Sequence, residues 1–127
     1  MAFERSKKGV KALQPKTVIF SVEMTSSGTA YTATNGDISL VTSVTDVGTG
    51  EFTLVLSQIG TELIGGSVLP IVASPGATKC QSGVIKAIDL TAKTVTVVLL
   101  KGDGAVVDLD ASDKVYVTLI FNDSYGQ

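Results

Sequence analysis

Hydrophobic positions along this chain alternate with polar ones far more often than they recur every three or four residues. From Lys16 to Thr25 the sequence reads KTVIFSVEMT, with Val18, Phe20, Val22 and Met24 interleaved with Thr17, Ile19, Ser21 and Glu23. That period of two predicts a strand. Pro15 suits its entrance, where a missing N–H does little harm. SSGTAYTATNGD then predicts a polar loop, with a tight turn at Asn35–Gly36. ISLVTSVTD predicts a rising strand, VGTG a turn and EFTLVLSQ a return. TELIGG breaks the pattern at Gly65–Gly66. SVLPIVAS predicts a strand on an edge or at a bulge, because Pro70 cannot donate to a ladder. CQSGVIKAID, LTAK and TVTVVLLK predict a second hairpin. KVYVTLIFND predicts the last strand, with Val115, Val117, Leu119 and Phe121 on one face.

The two hairpins share a pattern. SVTDVGTGEFTLVL (Ser43–Leu56) aligns with KAIDLTAKTVTVVL (Lys86–Leu99) at a spacing of 43 residues. Asp46 falls on Asp89, Val47 on Leu90, Phe52 on Val95, Thr53 on Thr96, Leu54 on Val97 and Leu56 on Leu99. A lone hairpin has one face to bury and nothing to bury it against. Two similar hairpins facing each other resolve that, and predict an all-β fold: an antiparallel β-sandwich or flattened barrel, jelly-roll-like in its layering. Val, Ile and Thr make up nearly a third of the 127 residues, and these branched side chains suit a pleated sheet. The length fits one β domain, residues 17–127, behind a short arm, residues 1–16.

The return strands carry apolar residues on both faces. Val95, Val97 and Leu99 fill one side of the second while Val98 and Leu100 fill the other. In the first, Val55 opposes Leu54 and Leu56, and Ile19 and Ile120 repeat the theme. A sandwich strand with one wet face should be polar on that side, so these stripes predict a subunit interface. The expected assembly is a homotrimer that buries Val55, Val98, Leu100 and Ile120.

Charge is unevenly placed. The arm holds Arg5, Lys7, Lys8, Lys11 and Lys16 against Glu4 alone, while the rest of the chain holds five lysines and eleven acids. The arm lacks the interleaved aromatics and dense arginines of a nucleic-acid binder. It is expected to grip an acidic protein surface through Arg5, Lys7, Lys8 and Lys11. No nucleic-acid or membrane partner is expected. The apolar runs are too short to span a bilayer, and the charged start does not read as a signal peptide. The expectation is a soluble protein made in the cytoplasm.

Candidate chemistry is sparse. With no His in the chain, Ser-His-Asp and Cys-His arrangements are impossible. Cys80, the single cysteine, is expected to be a small buried residue. Gly48–Gly50 and Gly102–Gly104 read as turns, since no GxxxxGK[ST] accompanies them. Asp103, Asp108, Asp110 and Asp113 crowd together, and carboxylates suit Ca²⁺, but their spacing is not that of an EF-hand. They read as a solvated acidic loop. No catalytic residue, cofactor or metal is expected.

Taken in order, the basic start, GDISLVTSVTDVGTGEFTLVL, the second β-meander, DLDASD and the closing KVYVTLIFND resemble small β-rich virion proteins of tailed bacteriophages. Their hairpin pattern, I-x-x-V-T-x-x-G-x-G-x-[FY]-T-[LV], is similar to Ile38–Leu54 with shifted spacing. The resemblance covers most of residues 36–122 and implies a non-enzymatic structural role in the virion. Two roles in that group compete. One is a capsid decoration (cement) protein, usually trimeric, seated on the outer shell where major capsid protein subunits meet. The other is a tail-fibre or spike module that binds the host cell surface. A chain that opens on its own Met, carries no shaft and is expected to be complete fits the first role better.

Overall fold

The computed structural model describes residues 16–123. Among these residues eight strands follow one another: β1 (Lys16–Ser26), β2 (Tyr31–Gly36), β3 (Val41–Gly48), β4 (Glu51–Leu56), β5 (Glu62–Ile71), β6 (Cys80–Asp89), β7 (Thr94–Lys101) and β8 (Lys114–Asp123). A 3₁₀ turn, Ile38–Leu40, leads into β3. The strands form two four-stranded antiparallel sheets, β2-β1-β8-β5 and β3-β4-β7-β6. The fold is the all-β sandwich that the alternation predicts.

Alternation decides which face each strand buries. Phe20, Val22 and Met24 of β1 and Val115, Val117, Leu119 and Phe121 of β8 point inward from the first sheet. Phe52, Leu54 and Leu56 of β4 and Val95, Val97 and Leu99 of β7 meet them from the second. Tyr31, Cys80 and Leu109 complete the cluster. β1 and β8, the long central strands of the first sheet, pair from Lys16 opposite Asp123 to Thr25 opposite Lys114.

The two repeated hairpins, β3–β4 and β6–β7, do not face each other as the sequence suggests. They lie side by side in the second sheet, joined by pairing of β4 with β7. The facing layer comes from the chain ends, β1, β2 and β8, together with β5. The β1–β2 connection also differs. The polar stretch read as a loop contains β2, of which Tyr31 and Ala33 reach the core and the other residues stay outside it. β2 sits on a sheet edge and needs few apolar residues. β5 runs straight through Gly65–Gly66 with a bulge after Leu63. Pro70 lies on the edge strand that its missing N–H requires.

On one side the sandwich closes tightly. β5 and β6 leave the two sheets next to each other, and a Cβ on Gly83 of β6 would overlap the Val68 side chain of β5. β5, β6 and β7 run round this side, and β8 crosses back to pair with β5 in a Greek-key path. On the other side β2 and β3 stay apart and leave a groove.

Candidate functional site

The four clustered aspartates share no partner. Asp103 accepts from the Ala105 N–H in its own turn, at 2.9 Å. Asp110 pairs with Lys79 at 2.7 Å on the surface. Asp108 Oδ1 accepts from the Gly50 N–H at 2.7 Å and from the Tyr31 hydroxyl at 3.1 Å. Asp113 is buried and accepts from the Ala73 N–H at 3.2 Å. Among the described residues no three His, Cys, Asp or Glu side chains lie close enough to hold a metal ion. Asp103 and Asp110 fit the reading of a solvated loop. Asp108 and Asp113 correct it: they tie the β7–β8 crossover to the β3–β4 turn and to the segment after β5.

Tyr31 is the hub of that tie. Its ring stacks on Phe52 with centroids 4.6 Å apart. Its hydroxyl donates to Asp108 and accepts from the Leu109 N–H at 3.2 Å. Burial, reinforced by the Asp108 charge, pushes the phenol well above its ordinary value. It is a fixed neutral donor, suited to holding a loop rather than to moving protons. Cys80 is buried as expected, with its thiol donating to the Ser82 carbonyl at 3.4 Å. Burial raises the thiol pKa, which disfavours the nucleophilic thiolate.

A second polar assembly crosses the outer face of the first sheet. Glu23 of β1 accepts from the Tyr116 hydroxyl at 2.5 Å and from Thr34 Oγ1 at 3.1 Å, with Lys114 Nζ at 3.6 Å. The Tyr116 hydrogen bond, opposed by burial and helped by Thr34 and Lys114, holds the Glu23 carboxyl below its ordinary value. Although it is on an outward face, Glu23 is buried beneath these neighbours.

The residues expected at a subunit interface do not form one patch. Val55, Val98 and Leu100 face outward from the second sheet, whereas Ile120 faces outward from the first, on the opposite side of the sandwich. Val98 is only 7% exposed, which corrects its reading as an open outer residue. Glu51 and Val84 flank it on β4 and β6. A Lys86–Glu51 ion pair at 3.0 Å spans those same two strands over β7 and covers it. Val55, Leu100 and Ile120 are half-buried.

Several exposed apolar residues share the outer face of the first sheet, while Ile38, Val47, Val84, Leu90 and Val106 are exposed away from it. On the first sheet Ile19 is 63% exposed, opposite Ile120, and Ile64 projects from the adjoining bulge of β5. At the other end of that face Leu69, 55% exposed, lies opposite Tyr116, and Ile71 lies opposite Lys114. Ser21, Thr118 and Ser67 form a polar band between the two ends. The sequence signal for this face was Ile19 itself, an apolar residue on the polar side of β1. Arg5, Lys7, Lys8 and Lys11 lie outside the described residues.

The groove between β2 and β3 has a volume of about 680 Å³ and is lined by Tyr31, Ala33, Ile38, Val41 and Val44 among others. Both of its walls are edge strands. No helix among the described residues is long and apolar enough to cross a membrane. Comparison with protein-family models, curated proteins and solved structures finds no match.

Proposed function

We propose that this chain is a non-enzymatic virion structural protein, a capsid decoration protein that binds the outer shell at junctions between major capsid protein subunits. The observation that carries this reading is the outer face of the first sheet, where Ile19, Ile64, Leu69 and Ile71 stand exposed on a well-packed sandwich. Exposed apolar residues at both ends of one sheet face, with a polar band between them, suit contact with another protein surface. The sequence resemblance to phage virion proteins supports the same reading. In it, the sandwich is a rigid plate, homotrimeric on the shell, and Arg5, Lys7, Lys8 and Lys11 supply electrostatic attachment. The work is mechanical: bridging neighbouring subunits means that pressure must break more contacts at once. Three copies held together also bind with avidity.

The test is to mix the purified protein with undecorated capsids and measure occupancy and the capsids' resistance to heat. Saturable binding that raises the temperature of shell rupture is expected. Absence of binding to any particle, together with binding to host cells, would replace this reading with the tail-fibre one. Removing residues 1–12 should reduce occupancy and its salt sensitivity, because exposed charge pairs are screened over about 10 Å at 0.1 M salt.

A further inference from the structure

We propose that Asn35 is a site of spontaneous covalent modification, at which the side-chain amide is lost through a cyclic imide to give aspartate and isoaspartate. The chain holds two asparagines, Asn35 and Asn122, and the fold treats them oppositely. Asn35 is exposed and precedes Gly36, the last residue of the edge strand β2. Asp37 N donates to Ser21 O at 2.8 Å, and Gly36 is paired with Val22. Antiparallel ladders alternate hydrogen-bonded and free positions, so the Gly36 N–H points away from β1, to the open side of the strand. It donates instead to Asn35 Oδ1 at 2.9 Å, which brings the backbone nitrogen next to the carboxamide carbon it must attack. Glycine adds no side chain to shield that nitrogen.

The fold also keeps this dipeptide in place. Gly36 has φ +83°, and a Cβ there would lie 2.5 Å from the Ser21 carbonyl oxygen. A side chain at position 36 is therefore strained, and the reactive pair is built into the end of β2.

The steps balance without any oxidant or reductant. A base removes the Gly36 amide proton, and the nitrogen attacks Asn35 Cγ. The new N–C bond closes a five-membered imide. The Cγ–Nδ2 bond breaks, and Nδ2 takes up a proton and leaves as ammonia. Water then adds to one of the two imide carbonyls. Opening on one side returns the normal main chain with aspartate. Opening on the other routes the main chain through the former side chain as isoaspartate. Ring closure requires Asn35 to turn out of its extended conformation, which a residue with a strand on one side only can do at the least cost in hydrogen bonds. Asn122 has strands on both sides, opposite Thr17 and Glu62, and its Nδ2 donates to Glu62 at 3.0 Å.

Conversion changes the sheet locally. Asn35 is the cross-strand partner of Glu23, so either product places a new negative charge beside the carboxylate that Tyr116, Thr34 and Lys114 surround. Isoaspartate also lengthens the main chain by one carbon before Gly36, one residue ahead of Asp37. There Asp37 brackets Ser21 with hydrogen bonds of 2.9 and 2.8 Å.

The experiment is peptide mapping by mass spectrometry on folded protein aged in mildly acidic and mildly alkaline buffer, with a denaturant-unfolded sample alongside. The expected result is a carboxamide-to-carboxyl mass change at Asn35 in the folded protein. It should be faster in alkaline buffer, faster than at Asn122, and split into aspartyl and isoaspartyl peptides. Asn35→Gln should suppress it, because the ring to be closed is larger. An Asn35→Asp variant should show faster amide exchange around Ser21 and Asp37 than the parent. An Asn35 that stays intact in the folded protein, or that reacts only in the unfolded sample, would overturn the proposal.

Discussion

Thr53 and Thr96 stand opposite each other across β4 and β7 with their hydroxyl oxygens 3.0 Å apart. They are also the same position of the repeated hairpin. Their neighbours cross over: Phe52 pairs with Val97 and Leu54 with Val95, whereas the repeat aligns Phe52 with Val95 and Leu54 with Val97. A local two-fold axis therefore passes between the two threonines, normal to the sheet. The repeat is the sequence trace of that axis, in which one hairpin pattern, used twice, supplies both halves of one layer.

The threonine pair should contribute measurably to that junction. A single Thr53→Val or Thr96→Val substitution should cost about 1 kcal/mol, by leaving one half-buried hydroxyl without its partner. The double variant should cost less than the sum of the two. Denaturant titration of the four proteins in a double-mutant cycle checks this.

Gly83→Ala should destabilise more, by about 1–3 kcal/mol, the range for overpacking a tight site. The added methyl would have to displace Val68, where the edge of one sheet meets the edge of the other. The expected signature is a lower unfolding midpoint in which β5 and β6 lose amide protection first.

Stability should depend on pH through Glu23 and Tyr116. The folded Glu23 carboxyl sits below its ordinary value of 4.5. Its contribution is therefore fully present above that pH and is lost as pH falls through the lower folded value. Glu23→Gln should flatten the acid side of the stability profile. Tyr116 is shifted the other way, raised above 10.0 by its hydrogen bond to Glu23. Its contribution is present below that pH and fades as pH climbs through the higher folded value. Tyr116→Phe should remove that alkaline loss. Chemical denaturation across pH reads both.

Substitutions on the outer face of the first sheet should separate assembly from folding. Ile19→Asp and Leu69→Asp replace exposed residues, so stability should change within about 0.5 kcal/mol. Capsid binding, measured by co-sedimentation, should fall sharply. Val98→Asp, placed in a covered position, should do the reverse and damage the fold first.

How much of this was legible in the sequence depended on the range of the interaction. β1 and β8 could be read directly, because their inward positions from Phe20 to Met24 and from Val115 to Phe121 are all apolar and both strands are central. β2 was hidden, since an edge strand needs only Tyr31 and Ala33 to hold it. The repeat announced two hairpins but not their layer, because the same pattern of inward residues serves whether hairpins face each other or lie side by side. The roles of Asp108 and Asp113 depend on Gly50 and Ala73, residues far away along the chain. An outward apolar residue such as Val98 cannot be told from a free one until Lys86 and Glu51 are seen to close over it.

The β1–β8 pairing gives the sandwich a direction of mechanical strength. Chain enters at Lys16 and leaves at Asp123 side by side, and the ten residue pairs between them run from there to Thr25 and Lys114. A pull applied between these two outlets opens the ladder one pair at a time, like a zipper. A pull from the Lys16 outlet against an anchor at the far end of β8 loads all ten pairs in shear. A plate tethered through residues ahead of Lys16 and gripped beside Lys114 would thus resist force along its strongest axis.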